Sequence, residues 1–135
     1  VTWANAPQEE DSTLIELLRQ AGAVLYCKTN VPTAMMVAET VNNLFGRTLN
    51  PHNLATTPGG SSGGEGALIC MRGSPLGVGT DIGGSIRIPA ALCGLYGLKP
   101  SFGRFPTYNS RSAMYGQEAV VSLLGLVILS PPQEC

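Results

Sequence analysis

Leu14, Leu17, Leu18 and Ala21 recur at helical spacing, behind Asp11 and Ser12, whose side-chain oxygens suit an N-cap, and ahead of Gly22, which suits a stop. That pattern predicts an amphipathic helix over 12–21. The unbroken apolar run Ala23-Val24-Leu25-Tyr26-Cys27, bounded by Gly22 and by Lys28-Thr29-Asn30, predicts a buried parallel strand. Residues 47–64 are rich in Asn, Thr, Pro, Ser and Gly and predict a long loop of the kind that commonly carries function. Ala67, Leu68, Ile69 and Met71 then predict a buried helix over 65–71, and residues 75–79 predict a second strand. A further helix is expected over 85–92 and a third strand over 95–98, closed by Lys99-Pro100. Alternating helices and strands of this kind indicate an α/β class. Neither a repeat nor a linker-like tract divides the chain, so one domain over 1–135 is expected, although the part after Ser110 follows the pattern poorly.

Composition narrows the function classes. The chain has 135 residues, 44% of them hydrophobic, which is enough for one modest core. Only 13% are charged, the formal net charge is -1, and Lys and Arg form no run, so there is no basic field to draw in nucleic acid. The four cysteines, Cys27, Cys70, Cys93 and Cys135, stand singly, which argues against a zinc site and against a disulfide framework, and suits a reducing, cytoplasmic setting. The longest apolar stretch, 119–129, is interrupted by Ser122 and Gly125 and falls short of the roughly 20 residues that span a bilayer, so no transmembrane segment is expected in this chain. The first ten residues lack the basic start, apolar middle and cleavage site of a signal peptide, and they lack a Met, as a fragment would.

Candidate chemistry concentrates in two glycine-flanked serine clusters, Gly59-Gly60-Ser61-Ser62-Gly63-Gly64 and Gly79-Thr80-Asp81-Ile82-Gly83-Gly84-Ser85-Ile86-Arg87. Glycines let a substrate carbonyl approach successive main-chain N–H groups, as an oxyanion hole requires, and Ile82, Gly83, Gly84 and Ser85 are placed to supply them. Ser85 stands at the mouth of an expected helix, where the helix dipole favours developing negative charge. A nucleophilic serine needs a base, and the one histidine, His52, lies in the polar loop and reads as a solvated residue. A Ser-Ser-Lys relay therefore fits better than a Ser-His-Asp triad. The plainer alternative makes both clusters tight turns with incidental serines, and makes Asp81 and Arg87 an ordinary ion pair tying a loop to its helix. Phosphate binding is disfavoured, because Gly77-Val78-Gly79 completes no GxGxxG and no Gly-Lys-Ser/Thr occurs.

The stretch GGSSGGEGALICMRGSPLGVGTDIGGSIRIP from Gly59, continued by Gly94-Leu95-Tyr96-Gly97-Leu98-Lys99-Pro100, closely resembles the signature of the amidase signature family. Ala21-Gly22-Ala23-Val24, Lys28-Thr29-Asn30-Val31-Pro32 and Gly116-Gln117-Glu118-Ala119 resemble the branch containing fatty-acid amide hydrolase and fungal amidases. The resemblance implies part of a larger α/β domain, a mixed sheet flanked by helices, and an enzyme that hydrolyses small-molecule carboxylic amides without a cofactor or metal. It implies Ser85 as nucleophile, Ser61 as proton shuttle behind a cis Gly60–Ser61 peptide, Ile82 to Ser85 as oxyanion hole, and Met35 lining the acyl site. Ser62, Thr80, Asp81 and Arg87 would support the loop. The family's relay lysine belongs to a Gly-Val/Ile-Pro strand upstream of the Lys-Thr-Asn segment, and this chain has no such motif; Lys28 and Lys99 match structural positions instead. Cys70 stands where a very small residue is usual, and residues 125–129 replace an expected turn. The alternatives are a truncated, catalytically inactive amidase-like protein that binds, and the amidotransferase subunit that carries the same signature.

Overall fold

The structure is a computed structural model that describes residues 5–101, 103–110 and 128–130. Helix α1 covers Thr13–Gln20, with Glu16 in its first turn and Arg19 in its last, the order that complements the helix dipole. It stops where Gly22 takes φ +89° and donates its N–H to the Arg19 carbonyl at 2.9 Å. No residue of α1 is fully buried; Leu14, Ile15 and Leu18 of its apolar stripe are half-buried and Leu17 is exposed.

The strand expected over 23–27 does not form among the described residues. Ala23 bonds back to the Leu18 carbonyl at 3.0 Å, and Val24 is 85% exposed. A strand persists only beside a neighbour that takes its backbone N–H and C=O groups, and no described segment pairs with this one.

After a 3₁₀ turn over Thr33–Met35 comes a hairpin that the hydrophobic pattern does not announce, β1 (Val41–Asn42) and β2 (Gly46–Arg47), antiparallel with Val41 opposite Arg47. Its turn is built by Asn42, whose side-chain oxygen accepts the N–H groups of Leu44 at 3.0 Å and Phe45 at 2.8 Å.

The remaining elements are α2 (Gly63–Cys70), β3 (Gly77–Val78), α3 (Arg87–Leu92), β4 (Tyr96–Gly97) and β5 (Ile128–Ser130). β5 lies between β3 and β4 and is antiparallel to both, so the two flanking strands share a direction across it. Helices and a small sheet thus make the α/β arrangement that the alternation of patterns predicts. The expected strands at 75–79 and 95–98 and the helix at 65–71 all form, within two residues at their ends. The expectations for residues 111–127 and for Cys135 lie outside the described residues.

The core sits where α2 and α3 cross. Ile69, Ile86 and Ala90 are buried together, with Leu95 packed against them. The crossing is close: a β-carbon on Gly66 would stand 3.0 Å from the Pro89 side chain. The long loop before α2 also closes the far end of α3, where the Asn50 side chain donates to the Leu92 carbonyl at 2.8 Å. No described helix is long and apolar enough to cross a membrane.

Candidate active site

The two serine clusters are fastened to each other through their backbones. Ser62 donates its N–H to the Ser85 carbonyl at 3.0 Å, which puts Ser61 and Ser85 on adjoining strands of loop. The Thr80 N–H donates to the Ser62 hydroxyl at 3.3 Å, a second tie between the same loops. Gly79 is required there, because a β-carbon would stand 2.7 Å from that hydroxyl oxygen. Ser61 is 1% exposed, and the Gly60–Ser61 peptide is cis, as the resemblance implies. Ser85 is half-buried, and neither the Ser61 nor the Ser85 hydroxyl bonds to any described residue.

Asp81 shapes the second loop. Its fully buried carboxylate accepts from the N–H groups of Gly84 (2.7 Å), Ile86 (3.2 Å) and Arg87 (3.3 Å). It also takes a two-pronged contact from the Arg87 guanidinium, at 3.0 and 2.9 Å. Burial alone would push the carboxyl up, but these bonds outweigh it and hold Asp81 at about 2. The same contact raises Arg87 above the ordinary arginine value. Asp81 takes the otherwise orphaned amides of Ile86, the N-cap residue, and Arg87 at the start of α3, and the helix begins at Arg87 rather than at the expected Ser85.

This geometry divides the amides expected to form an oxyanion hole. The Gly84 N–H points at Asp81, whereas those of Ile82, Gly83 and Ser85 make no hydrogen bond to a described residue. Three donors thus stay uncommitted around the exposed Gly83.

The other sequence candidates fall as follows. Met35 is half-buried and, with Ala34, takes φ +57°, a left-handed conformation that costs a residue with a side chain about 1 kcal/mol or more. His52 is exposed, and its Nε2 lies 3.0 Å from the Cys93 carbonyl oxygen at the end of α3, with no bond to either serine. Lys28 is exposed, Lys99 donates to the Pro100 carbonyl at 3.2 Å, and neither bonds to Ser61 or Ser85. Burial pushes the thiols of Cys70 and Cys93 up, the latter to about 11 with Cys70 nearby, so both stay protonated at neutral pH and compete poorly as nucleophiles. A groove of about 920 Å³ is lined by Val24, Leu25, Tyr26, Leu44, Phe45 and Leu76 among others, and neither Ser61 nor Ser85 faces it.

Comparison with known proteins decides the family. The family model described as Amidase matches residues 1–126. The chain belongs to the amidase family. This amidase chain is 57% identical over 125 residues to an acetamidase of Emericella nidulans, covering 93% of the chain and 23% of that protein. It is 50% identical over 119 residues to fatty-acid amide hydrolase 1 of Sus scrofa, covering 88% of the chain and 21% of that protein. A solved fatty acid amide hydrolase structure superposes with a TM-score of 0.84 at 41% identity, covering 91% of the chain and 22% of that structure. The amidase chain therefore spans about a quarter of the length of these relatives.

Proposed function

We propose that the protein hydrolyses carboxylic amides through an acyl-enzyme on Ser85. The observation that carries this is the Ser62 N–H to Ser85 carbonyl bond of 3.0 Å, which holds a buried serine hydroxyl, Ser61, beside the half-buried Ser85. In the proposed reaction Ser85 Oγ attacks the amide carbonyl as its proton passes to Ser61 Oγ and the Ser61 hydroxyl hands its own proton to the relay lysine that the family resemblance implies. The N–H groups of Ile82, Gly83 and Ser85 hold the oxyanion, and Ser61 passes the proton to the leaving nitrogen as the tetrahedral intermediate collapses. Water then cleaves the ester by the reverse path. Within the family resemblance a lysine drives the relay, and Lys28 and Lys99 do not take that place.

The substrate class is an amide with an apolar acyl group seated toward Met35 and Ile82, the range spanned by relatives named acetamidase and fatty-acid amide hydrolase. Rapid quenching of the purified protein with an acyl p-nitroanilide tests the reading. A mass increment equal to the acyl group on the Ser85 peptide, with release of p-nitroaniline, is expected, and Ser85→Ala is expected to abolish both. Turnover that survives in Ser85→Ala, or an acyl group on another residue, would contradict it. Binding of the amide without turnover by the wild type would favour the binding-only alternative, to which the unlinked lysines point.

A further inference from the structure

We propose that Thr40, far from both serine clusters in sequence, is a positioning residue for Ser61, an inference that rests on the catalytic reading above. Thr40 is fully buried, and its hydroxyl does two things at once. It donates to the Gly59 carbonyl at 2.8 Å and accepts the Gly63 N–H at 3.1 Å. One side chain thereby bridges the two ends of the segment Gly59-Gly60-Ser61-Ser62-Gly63, with Ser61 at its midpoint. The loop also lies directly on the backbone of the preceding residue: a β-carbon on Gly60 would stand 2.4 Å from the Glu39 carbonyl oxygen, and one on Gly63 would stand 2.2 Å from the Thr40 hydroxyl.

Thr40 is itself immobilised. Its carbonyl accepts the Thr48 N–H at 2.9 Å across the β1–β2 hairpin, and its N–H donates to the Glu39 carboxylate at 3.2 Å. That carboxylate is held by Arg47 at 3.1 Å and by the Thr57 hydroxyl, which in turn accepts the Gly59 N–H at 2.9 Å. Burial raises the Glu39 carboxyl, but these donors outweigh it and leave it ionised below the usual value. The hairpin thus ends in a clamp whose last member grips the Ser61 loop. A proton shuttle works only within hydrogen-bond reach of both nucleophile and leaving group, and an error of about 1 Å in such placement costs on the order of 100-fold in rate.

The test compares wild type, Thr40→Val, which keeps the shape and loses the hydroxyl, and Thr40→Ser, which keeps the hydroxyl. Capture of Ser85 by a fluorophosphonate is resolved into its affinity (KI) and its chemical step (kinact), and exchange of the Gly63 amide with deuterium is followed in the same samples. The expected result is a kinact lower by about tenfold to 100-fold in Thr40→Val with KI unchanged, and recovery to within about threefold in Thr40→Ser. A folded Thr40→Val with the wild-type kinact, or a Thr40→Ser as slow as Thr40→Val, overturns the proposal. If Thr40→Val does not fold, Thr40→Ser decides: a wild-type kinact supports the role and a tenfold loss in a folded protein overturns it. If the wild type is not captured at all, the catalytic reading fails and the Gly63 amide decides for Thr40. Exchange about tenfold faster in Thr40→Val than in wild type and Thr40→Ser supports the bridge, and equal exchange in all three overturns it.

Discussion

Five hydrogen bonds converge on the Asp81 carboxylate, three of them from main-chain N–H groups on either side of Ser85. Replacing it by Asn keeps the shape and removes the charge that these donors share, so Asp81→Asn should cost about 2 kcal/mol in denaturant unfolding and slow capture of Ser85. Since Asp81 lies at about 2 when folded, against 3.8 for an ordinary carboxyl, the folded state favours the ionised form. The resulting stabilisation, about 2 kcal/mol, is fully present above about pH 4 and is lost as the pH falls through about 2, and the Asp81→Asn protein should lack that acid-limb loss. Ser61, Ser85, Asp81 and Arg87 were legible because glycine-flanked serines and a nearby acid–base pair form a dense local pattern. Thr40, Glu39, Asn42 and Asn50 were not: each is a single polar residue whose partners stand between 1 and 42 positions away, and no periodicity marks it.

Among the elements, the serine loop is specified by contacts of backbone on backbone. Gly60→Ala would press its methyl group against the Glu39 main chain at 2.4 Å, with no flexible side chain to give way, and should cost about 3 kcal/mol. Gly83→Ala, with open space at the position and no positive φ, should leave the unfolding midpoint within about 0.5 kcal/mol of wild type. Both are read from denaturant midpoints. Helix α1 was legible because Leu14, Leu17 and Leu18 recur at helical spacing, and α2 because Ala67, Leu68 and Ile69 form an apolar run. Residues 23–27 were misread because an apolar run reports a tendency to be buried but not the presence of a pairing strand, and Tyr26 instead reaches the Gly73 carbonyl at 2.7 Å through its hydroxyl. The hairpin escaped notice because its two strands have two residues each, and its register is set by one Asn side chain rather than by alternation.

For the molecule as a whole, the described core is small, whereas Val24, Phe45, Tyr96 and Leu98 are each well over half exposed. Exposed apolar surface on this scale is a site of association, so the 135-residue chain should bind a hydrophobic dye and sediment above its monomer mass. The double substitution Val24→Ser with Phe45→Ser should reduce both signals, and a dye-silent monomeric wild type would contradict the prediction. The α/β class and the family were legible at this scale because signature residues stand in unbroken order; the antiparallel placement of β5 between β3 and β4 was not, since three residues carry no record of their distant partners. The central claim is that Ser85 is the nucleophile, and it is tested most directly by treating the purified protein with a fluorophosphonate and mapping the adduct by mass spectrometry. A single adduct on Ser85, absent in Ser85→Ala and formed at least about tenfold more slowly in Ser61→Ala, is the predicted result. An adduct on any other residue, or undiminished labelling of Ser85→Ala, would contradict it.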